Sequence, residues 1–534
     1  MKMKKYKYIT LALIAMICFN SCNDFLTTSL TDPKQSVDTY YKTPAEANTA
    51  LVGCYNGLDL IWNNGVAFPL ASEVFSDNCF GGTGSSDGYG YQMMDEFNKL
   101  ISPSDISLFS SDWKAYYQTI YRCNVLLSKL DQVKWDSSTV ALKAQYKGEA
   151  RFIRAFCYFD MVRLWEKVPL VLTPTLDNVP QTDPAVTYAQ IMSDLRFGAD
   201  SLPSTPYTSS VSGRVTKWAA ESLLARVYLF YSGYYGVSTI GGETSTTALA
   251  AVEDVIANSG HGLVSDYNTL WPASSIGKKV PYAGENNKEV VFSIKYSSTG
   301  DYNGNITGNT WMVMAGMRGE AHYPYYYGWG ACTVDPKLWN TFTSTDARRY
   351  ASIISIVDEN IVFSKESIHL DNREYTGYYL KKFSPIADSL NNSVVVNFQI
   401  GQYEDYFAIR YADVLLMAAE LNSPNAASYF NMVHQRSVPT DAAVTSVSKA
   451  DILAERRLEF VGEGIRYWDL LRQGITTAAS TIVANTTLSL LNDGHTSPTA
   501  AQLQASIEAT RGFQQIPDDQ ITLSSGVLKQ NPGW

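Results

Sequence analysis

The chain has 534 residues, a formal net charge of -10, and 45% hydrophobic and 13% aromatic residues. An acidic body of this kind has no basic footprint for DNA or RNA and no charge-based attraction to anionic lipid. At this length it can bury a large core without disulfide staples.

In chain order, Lys2, Lys4, Lys5 and Lys7 precede an apolar run from Ile9 to Phe19, which is well short of the roughly 20 residues needed to span a bilayer. This is the pattern of a signal peptide. Ser21 immediately before Cys22 matches bacterial lipoprotein cleavage, although Phe19 stands where Leu is commonest. Residues 1–21 are expected to be removed and Cys22 to be lipidated. That removal takes away four lysines and no acid, moving the net charge from -10 to -14, so the acyl chains must do the anchoring. Residues 22–40 are polar and turn-rich and read as a tether.

Helical periodicity then predicts helices over Ala45–Ile61, Trp113–Leu130, Ala141–Trp165, Tyr188–Leu202, Lys217–Tyr231 and Thr246–Asn258. Helices in pairs joined by short linkers suggest a helical-repeat scaffold, and Ala150, Phe156 and Pro169 loosely echo the tetratricopeptide order. From about 261 to 402 Gly, Asn, Ser and Tyr dominate, with strand-like runs at Val290–Tyr296 and Ser393–Phe398. An irregular segment of this length inside a compact chain is usually functional. Helical pattern returns at Ala408–Glu420, Ala426–Gln435 and Lys449–Arg472. The expected organisation is one domain over 41–534, mainly α. A helical scaffold (41–260 and 403–534) would carry a loop-rich insertion (261–402) with a few short strands.

Of the cysteines after Cys22, Cys54, Cys123 and Cys157 fall in apolar helical patterns and read as buried small hydrophobes. Cys79 and Cys332 read as loop residues whose pairing the sequence leaves open.

Several segments together resemble the SusD/RagB family of Bacteroidetes outer-membrane lipoproteins. They are C-N-D-F-L (Cys22 to Leu26), E-A-R-F-I-R-A-F-C-Y-F-D-M-V-R-L-W (Glu149 to Trp165) with its following turn to Val171, and Gly213 to Leu229. Asn287 to Ile294, I-R-Y-A-D-V-L-L-M-A-A-E (Ile409 to Glu420), E-R-R-L-E-F-V-G-E-G-I-R-Y-W-D-L-L-R (Glu455 to Arg472) and the terminus from Ile516 to Trp534 complete the set. The resemblance implies a tetratricopeptide-like fold with a loop-rich ligand face and a location on the outer face of the outer membrane. It also implies a SusC-like TonB-dependent transporter as partner. The ligand would be an oligosaccharide or, less often, a peptide. The motif residues themselves, among them Asp160 with Arg163 and Glu455, Arg456, Arg457 and Glu459, read as structural ion pairs.

An enzyme, such as a glycoside hydrolase, would need two carboxyls flanking a bond, and 52 acidic residues make such a pair inevitable by chance. No zinc, P-loop or nucleophile-elbow motif is present, so no catalytic residue, metal or cofactor is assigned. Gly81 to Asp87 reads as a flexible loop. Sugar binding has better material, because ring faces stack on aromatic platforms and ring hydroxyls pair with polar side chains. Trp311, Arg318, His322, Tyr323, Tyr325, Tyr326, Tyr327 and Trp329 cluster within the insertion. Consecutive aromatics must face different ways, so some are expected at a surface. A second cluster, Asp77, Asn78, Phe80, Tyr89 and Tyr91, lies in a loop near the N-terminal helices. The resemblance implies that both clusters share one face. The expected glycan contacts are Asp77, Asn78, Tyr89, Tyr91, Trp311, Arg318, Tyr323, Tyr325, Tyr326 and Trp329.

Overall fold

The start signals and the apolar periodicity of the N-terminal half agree, and helices form where both are present. In a computed structural model, α1 (Pro44–Leu60), α2 (Ser110–Lys129), α3 (Val140–Trp165), α4 (Pro184–Ser201), α5 (Lys217–Tyr235) and α6 (Ser245–Asn258) lie within a few residues of the predicted spans. The described residues are 40–63, 65–101, 105, 107–208, 213–301, 307–364, 371–488 and 496–534. The signal segment, Cys22 and the tether up to residue 39 lie outside them. Thr43 and Glu46 form a capping box before Pro44 in α1, and Asp183 and Thr216 accept from the N–H groups of Ala185 and Ala219 at the starts of α4 and α5. Such caps satisfy orphan donors that would otherwise fray the first turn.

Neighbouring helices pack in sequence: α3 lies against α2 and α4, and α5 against α4 and α6. Their apolar faces merge into a core that includes Leu51, Tyr116, Phe152, Trp165, Tyr188 and Phe230. Cys54, Cys123 and Cys157 are fully buried within it. Asp160 and Arg163 are buried in it too, 2.6 Å apart, and Asp160 also accepts from Tyr116 Oη at 2.9 Å.

The C-terminal part departs from the prediction twice. Ala408 to Arg410 end a strand, and α7 begins after it (Tyr411–Glu420). The run Lys449–Arg472 is two helices, α9 (Lys449–Glu459) and α10 (Arg466–Leu471), with α8 (Ala426–Ser437) before them. The break lies at Gly462 and Gly464, whose φ values of 79° and 75° are left-handed, and a Cβ at Gly464 would sit 2.6 Å from Pro69 Cα. Glycine tolerates that conformation at no steric cost.

Among the described residues, six short strands form two sheets. β1 (Cys79–Phe80), β3 (Thr333–Val334), β5 (Tyr378–Leu380) and β4 (Ile353–Ser355) make one, in the order β1-β3-β5-β4, all antiparallel. β2 (Val290–Ile294) and β6 (Tyr406–Arg410) make the other, with Val290 opposite Arg410. β2 confirms the strand predicted at Val290–Tyr296. The strand expected over Ser393–Phe398 shrinks to a single antiparallel bridge between Ser393 and Ala387, across a turn in which Asp388 accepts from the N–H groups of Leu390 and Asn392; the chain after it bends away. Pairing β2 with β6 brings both ends of the loop-rich segment onto the scaffold. Cys79 lies in β1 rather than in a loop, and Cys332 is in the loop immediately before β3; both are buried free thiols.

Where β2, β6 and α9 meet, charge is buried in quantity. Arg410 donates to Glu459 at 2.9 Å and to both oxygens of Glu463 at 2.7 Å. Arg436 donates to Glu289 and Lys382 to Glu463 at 2.7 and 2.6 Å. Arg348 pairs with Asp346 at 2.8 Å and with Glu455. Burial alone would neutralise Glu459, but Arg436, Arg410 and Arg348 hold its carboxyl down at about 2. The reading of Glu455 and Glu459 as structural is thereby given its geometry: isolated charges could not survive there, and paired ones can.

Candidate functional site

Three loop segments converge beside β1 and β3. Leaving β1, residues 81–84 run along 371–373: Arg373 N donates to Thr83 O at 2.8 Å, and Ser85 N to Asp371 O at 3.2 Å. The third segment, 313–331, folds back on itself, with Gly328 N donating to Met317 O at 2.6 Å and Trp329 N to Val313 O at 2.7 Å. Gly81 to Gly84 are buried, and a Cβ on Gly84 would collide with the Arg318 guanidinium. The glycine-rich stretch expected to be a flexible loop is thus a packed wall for Arg318.

Arg318 is the hub. Its Nε and Nη2 donate to Asp371 Oδ2 at 3.1 and 2.7 Å, its Nη1 donates to Trp329 O at 3.2 Å, and Asp87 Oδ2 lies 3.8 Å away. Asp371 also accepts from Ser85 Oγ at 2.7 Å, and Asp87 from Gly84 N at 2.7 Å. Partial burial works against ionisation of Asp371, but the bonds from Ser85 and Arg318 and the guanidinium charge hold its carboxyl below the ordinary range. Trp329, whose backbone carbonyl accepts from Arg318, is 39% exposed. An accessible indole next to fixed carboxylates and a guanidinium is the combination that stacks on a sugar ring and pairs with its hydroxyls.

The other predicted contacts divide by burial. Tyr323 is 52% exposed, with its N–H donating to Asn391 Oδ1 at 2.7 Å. Tyr326 and Tyr327 are half-buried, their rings 4.5 Å apart and packed against Phe398 at 5.6 and 5.1 Å. Tyr89 is half-buried beneath Arg373, whose guanidinium lies 4.0 Å from the ring centroid. Tyr91 is half-buried against the core.

Four expected contacts lie in the interior and must be withdrawn from any direct role at a ligand surface. Trp311 packs between Phe383 and Tyr406, 5.0 and 5.9 Å away. Tyr325 points inward and donates to Glu359 Oε2 at 2.5 Å. Asp77 is chelated by Arg466 at 2.8 and 2.9 Å and approached by Arg457 at 3.2 Å. Burial pushes its carboxyl up, but the two guanidinium groups prevail and hold it at about 2. Asn78 is fully buried between Glu73 and Arg457. Phe80 is also buried. All four have partners within the protein, supplied by segments that no local pattern connects to them.

Asp371, Asp87 and Ser85 were not among the expected residues. Asp87 and Ser85 sit at the end of the glycine-rich stretch Gly81 to Asp87, whose three glycines were the available signal for close packing. Asp371, 53 positions from Arg318, carried none. Among the described residues no group of three or more His, Cys, Asp or Glu is placed to hold a metal ion. A groove of about 690 Å³ lies apart from these loops on the scaffold, lined by Tyr117 and Tyr121 of α2, Leu176 and the C-terminal Leu523.

Comparison with known proteins places these features in a family. A model described as starch-binding associating with outer membrane matches residues 84–229, and the SusD family model matches residues 288–534. SusD-like protein P25 of Formosa agariphila is 24% identical over 517 residues, covering 89% of this chain and 90% of that protein. Among solved structures, a laminarin-binding SusD-like protein is 26% identical with a TM-score of 0.71, over 92% of this chain and all of the other. Surface glycan-binding protein A from Bacteroides uniformis is 25% identical with a TM-score of 0.69 over the same shares. Two family models matched in chain order, on a shared helical fold with few short strands, show that this chain belongs to the SusD/RagB family.

Proposed function

We propose that this protein is a non-catalytic receptor that captures an oligosaccharide on the face carrying Trp329, Arg318, Asp371 and Asp87. It would hold its ligand for a SusC-like TonB-dependent transporter, tethered to the outer membrane through lipid on Cys22. The observation that carries the reading is an exposed tryptophan, Trp329, whose backbone carbonyl is bonded into a pre-formed guanidinium–carboxylate group. The laminarin-binding relative supports the ligand class. A site of this kind, shallow and wet, binds in the micromolar to millimolar range. The test is calorimetric titration of laminarin, and of other glycans should laminarin fail, into the wild type and Trp329→Ala. Loss of affinity in the variant supports the site, and equal affinity moves it elsewhere. Retention of peptides from a protein digest with no glycan bound would favour peptide capture. Release of reducing ends by the purified chain would favour a hydrolase. Co-purification of the lipidated protein with the transporter from outer membranes, lost on Cys22→Ala, tests the partner and the anchor.

A further inference from the structure

Resting on the reading that this face binds glycan, we infer that the glycan is uncharged, and that uronic acids and sulfated sugars are excluded by the site's own electrostatics. An anionic substituent needs a cation with an unclaimed face. Among the described residues of the three segments 81–92, 313–331 and 371–398, the cationic side chains are Arg318, Arg373, Lys381 and Lys382, and every one is claimed. Arg318 is held by Asp371 and the Trp329 carbonyl. Arg373 is 2% exposed and donates to Gly88 O at 2.9 Å and Gln92 Oε1 at 3.2 Å. Lys381 is buried against Glu359 at 2.8 Å, and Lys382 against Glu463. His322 does not make up the deficit, because burial lowers its pKa and the weaker pull of Glu320 does not reverse this, so it is neutral at pH 7.

Among the described residues of these segments, what remains at the surface is negative. The side chains of Asp87 and Asp371 flank Arg318 and are each half accessible, and Glu320 and Asp388 lie on the same segments, partly exposed. With the Arg318 charge offsetting one of the two carboxylates, one net negative charge about 5 Å from an anionic sugar, in a water-like dielectric, weakens its binding by roughly fourfold. Toward a neutral sugar the same carboxylates are an asset, since they accept from ring hydroxyls in charge-assisted hydrogen bonds. The Trp329 face supplies stacking that is indifferent to charge.

Affinity electrophoresis and calorimetry with the purified full chain test this. The neutral probes are laminarin, xyloglucan and galactomannan, and the anionic ones are polygalacturonate, alginate and chondroitin sulfate. The expected result is that a neutral probe binds at least about fourfold more tightly than any anionic one, and that Trp329→Ala removes the binding. Asp87→Asn should narrow the gap between neutral and anionic probes about threefold, and 0.5 M salt should narrow it further by screening. An anionic probe that binds best and is lost in Trp329→Ala overturns the charge inference while leaving the receptor reading intact. A gap unmoved by Asp87→Asn also overturns the charge inference. Binding of no probe overturns both readings.

Discussion

Arginine–carboxylate groups occur in two settings in this protein, one inside the scaffold and one on the loop face, and they do opposite work. Around Arg410, Arg348 and Arg436 the partners Glu289, Glu455, Glu459 and Glu463 are almost completely buried. These side chains have no surface left to offer a ligand. Around Arg318 the carboxylates of Asp87 and Asp371 are half open to solvent, beside an exposed indole. The charge chemistry, guanidinium against carboxylate, is the same in both places. Burial decides that the first set holds helices and strands together and leaves the second free to meet a partner.

The largest effect should come from breaking the interior set. Glu459→Ala removes the buried carboxylate shared by Arg410, Arg436 and Arg348, leaving three buried guanidinium groups to the remaining acids, and should cost about 3–5 kcal/mol of stability in urea or thermal unfolding. A loss below 1 kcal/mol would mean that the lattice is not a structural device. Trp329→Ala should do the reverse, weakening glycan binding about tenfold or more in calorimetry while leaving the melting temperature within a degree or two. A large drop in melting temperature would return Trp329 to the core.

The third way to test the contrast is pH. Glu459 and Asp77 are held at about 2 by their arginines against the cost of burial, while unfolded carboxyls titrate near 4. Folded values below unfolded ones mean stability that is present above about pH 4 and drains away as pH falls toward 2. Asp59 and Glu285 have the opposite sign: burial first, and then the neighbouring Asp405, push them to about 8 and about 7. Their contribution is present in acid and lost as pH rises from 4 to 8. Melting temperature should therefore peak in mildly acidic buffer. Glu285→Gln should flatten the alkaline limb, and an unchanged limb would rule that residue out. The smallest effect belongs to a solvent-exposed pair on the scaffold, Lys114 with Asp519 at 3.2 Å. Lys114→Ala should change stability by about 0.5 kcal/mol or less, which unfolding at two salt concentrations can check.

How legible each region was follows from the range of the forces that shape it. The scaffold helices could be read because apolar spacing and caps such as Thr43 with Glu46 are local, and α9 was misjoined to α10 only where Gly462 and Gly464 adopt a conformation that a periodic pattern does not encode. The loop face was half legible. Its aromatic richness was visible, and so was the need for some of Tyr325 to Tyr327 to face out, but Tyr325 turned inward toward Glu359 and Trp311 toward Phe383. Asp77 looked like an exposed loop acid until Arg457 and Arg466, nearly four hundred positions later, were brought to it.

By itself, then, the sequence determined the helical architecture, the family and the presence of a loop-rich segment dense in aromatic side chains, since these rest on periodicity, composition and motifs contiguous in the chain. Only the tertiary structure decided which side chains have surface to spare. It set Asp371 against Arg318 and Gly84 beneath the guanidinium, leaving Trp329 as an open platform, because the hydrogen bonds that aim a loop side chain join segments that are remote in sequence.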